Sequence, residues 1–564
     1  MSATPAFVAP VHSRNALGDS RVDTRYPDMR GILLALSSAG LLVLSFPNFN
    51  LWFLAWIGLA PLFISIAKTR NQRAALVLGW FWGCVFFYGT CYWLTYSLIR
   101  YGHIRPWLAY SLLVLPVAIV SVFPALSCVV LHRLLKRWGN VALLAVPFIW
   151  VAFEWARLGV TGQLWNAIGY SQAYIPVLIQ PARWGGVYAV GFMIVVGNTA
   201  IAYLFMGRDL RSLAIATILL VTIAVLTIVP GLDLRRSSSV PITRPEVVVI
   251  AVQPNVPMDP VTDPSVSQSL LEQHQKASVA ALQDWDRNGQ LDNAAGAIKI
   301  DERREAAVAS RQAITRLVIW PESPMNFAYG NDSQLRTVLT QFARTNHTSV
   351  LFNSLEAAPQ NGSYNSALLV NEEGSLVAQY DKIRLMPFGE YVPLPSWMPG
   401  SSTIAPLVGG FVAGTKYPLL PVGQSRAGVF ICFESAFPDV ARELTKAGAG
   451  MLVNISNDGY LGPTPVMRQH LANAIFRAVE NDRPVLRVTN TGLTAYIANN
   501  GEVKDVGPGF QPAARVWGVR NVASRTFYAQ YGELFVALCA LITLIALAVA
   551  EITALNARRL QHED

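Results

Sequence analysis

Apolar positions in this chain follow two regimes. Eight long apolar stretches lie at about 31–47, 51–67, 74–97, 107–131, 141–158, 185–206, 213–231 and 533–554. Each is close to the roughly 20 residues with which a helix crosses a bilayer, so eight transmembrane helices are predicted. Between residues 232 and 532 the rhythm changes to short apolar runs at 247–252, 317–320, 349–353, 365–370, 428–432, 451–455, 484–488 and 494–497. Runs of this length without clean alternation predict strands buried on both faces. Helical patterns between them, at 334–346 and 466–482, predict a layered α/β domain.

This gives a polytopic α-helical membrane protein with a folded domain inserted before its last helix. The expected organisation is a polar tail (1–30), seven helices (31–231), the domain (232–532), and a final helix with its tail (533–564). Residues 262–315 are polar, helix-prone and poor in bulky apolar positions after Leu291, which predicts a variable surface insertion.

Composition sharpens the picture. Of 564 residues, 52% are hydrophobic and only 14% charged, which excludes an ordinary soluble protein. The net charge of +9 would suit nucleic acid, but the basic residues are distributed otherwise. They gather in alternate short loops: Arg14, Arg21, Arg25 and Arg30, then Lys68, Arg70 and Arg73, then Arg133, Lys136 and Arg137, then Arg208 and Arg211, then Arg558 and Arg559. The opposite loops hold only Arg100, Arg105, Arg157 and Arg183. By the positive-inside rule both termini are expected in the cytoplasm and the large domain outside it. No nucleic-acid partner and no cleavable signal peptide are expected.

Four cysteines, Cys84, Cys91, Cys128 and Cys539, fall in apolar stretches and read as small packing residues. Cys432 is alone outside them, at the end of a strand-like run, and becomes a candidate nucleophile. Glu322 follows Trp320-Pro321 at the end of another run, where a carboxylate can take and return a proton. Lys382 precedes the segment Met386-Pro387-Phe388-Gly389, and its ammonium can stabilise an oxyanion. Glu390 and Glu434 are candidates to orient that ammonium, or else structural ion-pair partners. Glu154 and Arg157, at i and i+3 in an apolar stretch, are a structural pair or a functional one.

Trp320-Pro-Glu322, Tyr380-Asp-Lys382 with Pro387-Phe-Gly-Glu390, Cys432-Phe-Glu434 and Ser456-Asn-Asp458 together resemble the nitrilase (carbon–nitrogen hydrolase) superfamily. Eight apolar stretches, the position of the domain, and the string Glu154…Arg157…Thr161-Gly…Gly169-Tyr-Ser-Gln narrow the resemblance to bacterial apolipoprotein N-acyltransferases. That resemblance implies an αββα sandwich outside the cytoplasm and a catalytic triad of Glu322, Lys382 and Cys432, with Phe433 as the aromatic beside the nucleophile. It also implies a ping-pong acyl transfer in which a phospholipid is the acyl donor. A diacylglyceryl-modified apolipoprotein would be the acceptor, and the intermediate a Cys432 thioester. The implied setting is the inner membrane, crossed several times by a monomer in contact with membrane lipid, with the catalytic domain on the periplasmic side. Neither metal nor other cofactor is implied. Trp397 and Phe411 read as lipid contacts, lids or interfacial anchors, and Asn457, Asp458 and Tyr460 as shaping the substrate pocket. A membrane-tethered amidase and a non-catalytic scaffold are the competing readings.

Overall fold

The computed structural model describes residues 26–563 except 163, 208, 238–244, 259–263, 295–313, 323, 360–361, 388 and 393–409. The helical region contains α1 (Met29–Ser45), α2 (Trp52–Lys68), α3 (Gln72–Arg100), α4 (Pro106–Val120), α5 (Val122–Trp138), α6 (Val146–Thr161), α7 (Ala182–Met206) and α8 (Leu210–Ser237). Polar caps set some of the starts. The Asp28 carboxylate accepts from Gly31 N, and Asn71 Oδ1 accepts from Ala74 N. Among the described residues five stretches are long and apolar enough to cross a membrane: Gln72–Arg100, Pro106–Thr161, Ala182–Met206, Leu210–Thr227 and Leu534–Asn556. The helices α1 and α2 are apolar but shorter.

The stretch Pro106–Thr161 is not one straight rod. Gly139 at φ 59° turns the chain between α5 and α6, a backbone conformation that favours glycine. The apolar stretch expected at 107–131 continues to Trp138, because Ser121 between α4 and α5 keeps helical dihedrals.

The inserted domain is a sandwich of two six-stranded sheets. One has the order β12 (Ala513–Val519), β1 (Val247–Gln253), β2 (Thr315–Ile319), β3 (Ser349–Ala357), β4 (Ser363–Val370), β5 (Leu376–Asp381), and the other β11 (Val503–Val506), β10 (Ala495–Ile497), β9 (Val485–Thr489), β8 (Met451–Ser456), β7 (Ser425–Ile431), β6 (Leu419–Val422). The parallel strands that matter most for the site are β1 (Val247–Gln253) and β2 (Thr315–Ile319) in the first sheet, and β7 (Ser425–Ile431), β8 (Met451–Ser456) and β9 (Val485–Thr489) in the second. Between the sheets lies an apolar core that includes Val249, Leu317, Leu351, Val429, Ile431, Val453, Leu486 and Trp517. Burial on both faces accounts for the lack of alternation in these runs.

Helices α9 (Pro264–Asn288) and α10 (Ser333–Asn346) cover the first sheet, and α11 (Pro438–Lys446) and α12 (Val466–Asn481) cover the second. The chain then runs through α13 (Phe527–Tyr531) into α14 (Leu534–Glu563).

Within the segment 262–315, α9 packs on the first sheet. Helix α9 buries Trp285 completely, and Trp320 Nε1 donates to Ser278 Oγ at 3.0 Å. Its apolar face was sparse in sequence, yet those few large residues are the ones that pack. Residues 295–313 of that segment lie outside the described residues.

The second sheet's helical layer packs directly on the membrane helices, and one continuous apolar core joins them. Helix α12 is therefore buried on all sides. Gln469 at its start is fully engaged. Its Oε1 accepts from the Trp93 and Trp165 indoles at 3.1 and 2.8 Å, and its Nε2 donates to the Pro47 and Thr90 carbonyls at 3.1 and 3.0 Å. At the other end Glu480 Oε1 accepts from Val187 N at 2.9 Å, capping the part of α7 that restarts after Gly186.

Candidate active site

Three strand ends converge at one mouth of the sandwich. β2 stops at Ile319, and Trp320, anchored beneath α9, leads into Glu322. The next helix, α10, is capped by Asp332, so Glu322 caps no helix. β5 (Leu376–Asp381) ends immediately before Lys382, whose amide donates to the Asn365 carbonyl on β4 (Ser363–Val370) at 2.8 Å. β7 ends at Ile431, and Cys432 opens a tight helical turn at φ 51°. A left-handed cysteine costs of order 1–3 kcal/mol, and such strain collects at functional positions.

Lys382 is 1% exposed. Its Nζ lies 2.8 Å from Glu390 Oε1 and 3.8 Å from Glu322 Oε1. Burial opposes the ammonium, but the two carboxylates outweigh it and hold the lysine pKa above its ordinary value. Glu390, held by Lys382 against its own burial, stays below the ordinary carboxylate range. Asn365 Nδ2 bridges the acids, donating to Glu322 Oε1 at 3.0 Å and to Glu390 Oε1 at 2.9 Å. Asn353 orients Asn365 in turn by donating to its Oδ1 at 2.7 Å.

The Cys432 thiol is half-buried by residue, and its pKa is pushed up to about 12. Burial is the main cause and the Glu322 carboxylate adds to it, while Lys382 pulls the other way. The thiol is therefore protonated at rest beside a carboxylate that can accept its proton. An ammonium completes the set.

The two supporting acids divide their work. Glu390 pairs with the Lys382 ammonium. Glu434, 1% exposed, instead clamps backbone: it accepts from Ile383 N at 2.8 Å, Arg384 N at 3.0 Å and Ile431 N at 2.7 Å, and from the Tyr380 hydroxyl. It thus ties the residue before Cys432 to the residues after Lys382. Burial pushes its carboxyl up to about 7 despite those donors.

Phe433 leaves the site and stacks on Trp165 from the membrane region, with ring centres 5.7 Å apart. Tyr460 is 51% exposed, and its ring meets Tyr101 edge-on at 5.7 Å. Its carbonyl accepts from Ser97 Oγ at 2.6 Å. The C-terminal end of α3 therefore holds one wall of the mouth.

Asp458 is 1% exposed, and its carboxylate is taken up by Arg487 and His470. Asn457 is also buried and braces its own loop, accepting from Gly459 N at 3.1 Å. Phe411 is half-buried, and its neighbours tie it to Ser363 through Ser363 N to Gly410 O and Val412 N to Ser363 O. Trp397 lies outside the described residues.

Glu154 and Arg157 hold the loop that carries Trp165. Glu154 Oε1 accepts from Ile168 N at 2.9 Å, and Arg157 Nη1 donates to Trp165 O at 2.9 Å. Sequence reasoning missed Asn365, Gln469, His470 and Arg487. The Gln469-His470 pair on a helix just after Ser456-Asn-Asp458 was the available signal, since polar residues inside an otherwise apolar buried helix require partners.

A four-layer αββα sandwich with a carboxylate, an ammonium and a thiol at its strand ends, built onto apolar helices, defines a membrane-integrated protein of the carbon–nitrogen hydrolase class. Residues 275–511 match the carbon–nitrogen hydrolase family, and residues 38–200 match the apolipoprotein N-acyltransferase N-terminal domain. The first of these matches begins inside α9, which agrees with that helix being part of the sandwich.

An apolipoprotein N-acyltransferase of Geobacter metallireducens is 31% identical over 91% of this chain and 95% of its own length. Another from Sinorhizobium medicae is 29% identical over 84% and 85% of the two chains, and one from Chlorobaculum tepidum 27% over 90% and 94%. The chain belongs to the apolipoprotein N-acyltransferase family. Among solved structures, an amidase from Nesterenkonia sp. is similar at 17% identity and a TM-score of 0.34, over 52% of this chain and 95% of that one.

Proposed function

We propose that this protein transfers a fatty acyl chain from a membrane phospholipid to the α-amino group of the S-diacylglyceryl cysteine that begins an apolipoprotein. The observation that carries the reading is the meeting of Glu322, Lys382 and Cys432 at a mouth whose wall is held by α3. Family membership supports the same activity.

In the first half-reaction Glu322 takes the Cys432 proton and the thiolate attacks the ester carbonyl carbon of the phospholipid. Lys382 and the Phe433 N–H stabilise the oxyanion. The carbon–oxygen bond to glycerol breaks, Glu322 returns the proton to that oxygen, and a lysophospholipid departs. Cys432 keeps the acyl group as a thioester. In the second half-reaction the free amine attacks the thioester carbon while Glu322 takes a proton from the nitrogen. The carbon–sulfur bond breaks, and the thiolate recovers the proton from Glu322. Glu390 keeps Lys382 charged and in place through both steps, and Glu434 holds the two catalytic segments in register.

The eight apolar stretches are proposed as eight spans, with both termini cytoplasmic and the sandwich on the outer face of the inner membrane. The alternate loading of basic residues supports this topology.

The purified protein incubated with acyl-labelled phospholipid is expected to carry a label that hydroxylamine removes. A diacylated lipopeptide then receives that label on its amine. Cys432→Ala carries none. An undiminished label in Cys432→Ala, or release of ammonia from small amides in place of transfer, overturns the reading.

A further inference from the structure

Behind Cys432 stands a row of buried polar side chains that the acyl-transfer steps do not use. The sheet register pairs Phe430 with Asn454 and Asn454 with Arg487, so these positions line up across β7, β8 and β9. Arg487 donates through Nη1 to Asn454 Oδ1, and through Nη2 to Asp458 Oδ1 and Oδ2 at 3.1 and 2.8 Å. His470, reaching in from α12, places Nδ1 at 2.8 Å from Asp458 Oδ1 and 3.1 Å from Arg487 Nη2. Its Nε2 lies 2.9 Å from the carbonyl oxygen of Cys432 itself. Asn454 Nδ2 approaches the same oxygen at 3.4 Å. Asn454, Asp458, His470 and Arg487 are all at most 3% exposed. The Trp165 ring covers His470 from the membrane side, 5.6 Å between ring centres.

With Arg487 Nη2 donating to Nδ1, the ring's proton is assigned to Nε2, the nitrogen that faces the accepting Cys432 carbonyl. The Cys432 carbonyl and the Phe433 N–H are the two ends of one planar peptide. Pinning the oxygen therefore fixes the direction of the N–H. Donation to the oxygen also draws electron density towards it, which strengthens the N–H as a donor. The pin acts where it is needed, because Cys432 stands at φ 51° and an unheld peptide there can relax.

We propose that His470, held by Asp458 and Arg487, is a positioning residue for the oxyanion. It donates to the Cys432 carbonyl, and so aims and polarises the Phe433 N–H towards the oxygen of each tetrahedral intermediate. The inference rests on the acyl-transfer reading above and adds to it a residue that touches neither substrate.

The test compares wild type, His470→Ala and His470→Gln in the full-length protein, measuring acyl-enzyme formation from labelled phospholipid. A second readout is alkylation of Cys432 by iodoacetamide, followed on the Cys432 peptide by mass spectrometry. Alkylation displaces iodide at a saturated carbon and forms no oxyanion, so it reports the thiol without the oxyanion site. His470→Ala is expected to slow acyl-enzyme formation by about 100- to 1,000-fold, the range for loss of an oxyanion donor, while KM and the alkylation rate stay within about threefold. His470→Gln, whose amide can donate in the same place, is expected to recover at least about tenfold of that loss, and it keeps the test open if the alanine variant unfolds.

Acylation at the wild-type rate in His470→Ala overturns the inference. So does alkylation that falls in parallel with acylation, or a folded His470→Gln in which acylation is no faster than in the alanine variant. Absence of an acyl-enzyme in the wild type overturns the acyl-transfer reading and this inference with it, so the two failures are distinguishable.

Discussion

Cys432 combines a left-handed backbone with a thiol whose proton is held tightly. Burial first, and the Glu322 carboxylate second, raise its pKa to about 12, and Lys382 offsets only part of this. A raised thiol pKa means less thiolate at any given pH: on the order of a thousandfold less at pH 8 than for a free cysteine near 8.5. In the proposed mechanism such a site generates its nucleophile at the moment of attack, by transfer to Glu322, and stores no exposed thiolate that oxidants could consume. Alkylation of Cys432 by iodoacetamide is therefore expected to keep rising with pH up to about 10, beyond the pH at which a free thiol levels off. A plateau between about pH 9 and 10, read on the Cys432 peptide, would show that the thiol is not raised. Lys382 is the counterpart, a buried cation that stays charged because Glu390 and Glu322 flank it. One of those acids is free to move a proton while the other holds the lysine.

At the scale of elements, α12 works as a shared wall. One face lies on the second sheet and the other on the membrane helices, so its polar residues are satisfied across both. Gln469 uses all of its amide capacity on four partners from the membrane region. Gln469→Leu keeps much of the volume but orphans the Trp165 indole donor and the Pro47 carbonyl, whereas Trp93 Nε1 and the Thr90 carbonyl keep each other at 2.9 Å. Each orphaned buried group costs about 1–3 kcal/mol unless water reaches it. The expected outcome is a clear fall in the thermal midpoint of the detergent-solubilised protein and reduced activity, with the Cys432 alkylation rate reporting whether the site itself survives. An unchanged midpoint would show that the α12 interface is wet or tolerant. Next to Gln469, His470 points the other way, to the Cys432 carbonyl. Two adjacent residues thus tie the nucleophile's peptide to the membrane-facing interface.

At the scale of the whole molecule, the catalytic mouth and the apolar helices are built as one object. Tyr460 is held by Ser97 and Tyr101, Phe433 stacks on Trp165, and Glu480 caps the restarted α7. The proposed topology has a direct check. In a Cys432→Ser background, a cysteine introduced at exposed Arg344 on α10 is expected to react with a membrane-impermeant maleimide in intact spheroplasts, whereas one at exposed Lys136 on α5 reacts only after lysis. The reverse pattern would invert the topology.

The sequence by itself determined the apolar stretches, the strand-rich insert and the Glu322, Lys382 and Cys432 strings, because hydrophobic run length and short local motifs are properties of neighbours along the chain. It left open whether Glu390 and Glu434 orient the lysine or brace the frame, and it did not reveal that α9 packs on the first sheet, because a few buried residues such as Trp285 count for little in an average over a polar segment. Only the tertiary structure decided that Glu434 grips backbone, that Asp458 pairs with Arg487 and His470, and that α9 supports the strand end bearing Glu322. These outcomes depend on contacts between residues tens to hundreds of positions apart. Burial there obliges every polar group to find a partner, and which partner is reached is fixed by packing and strand register.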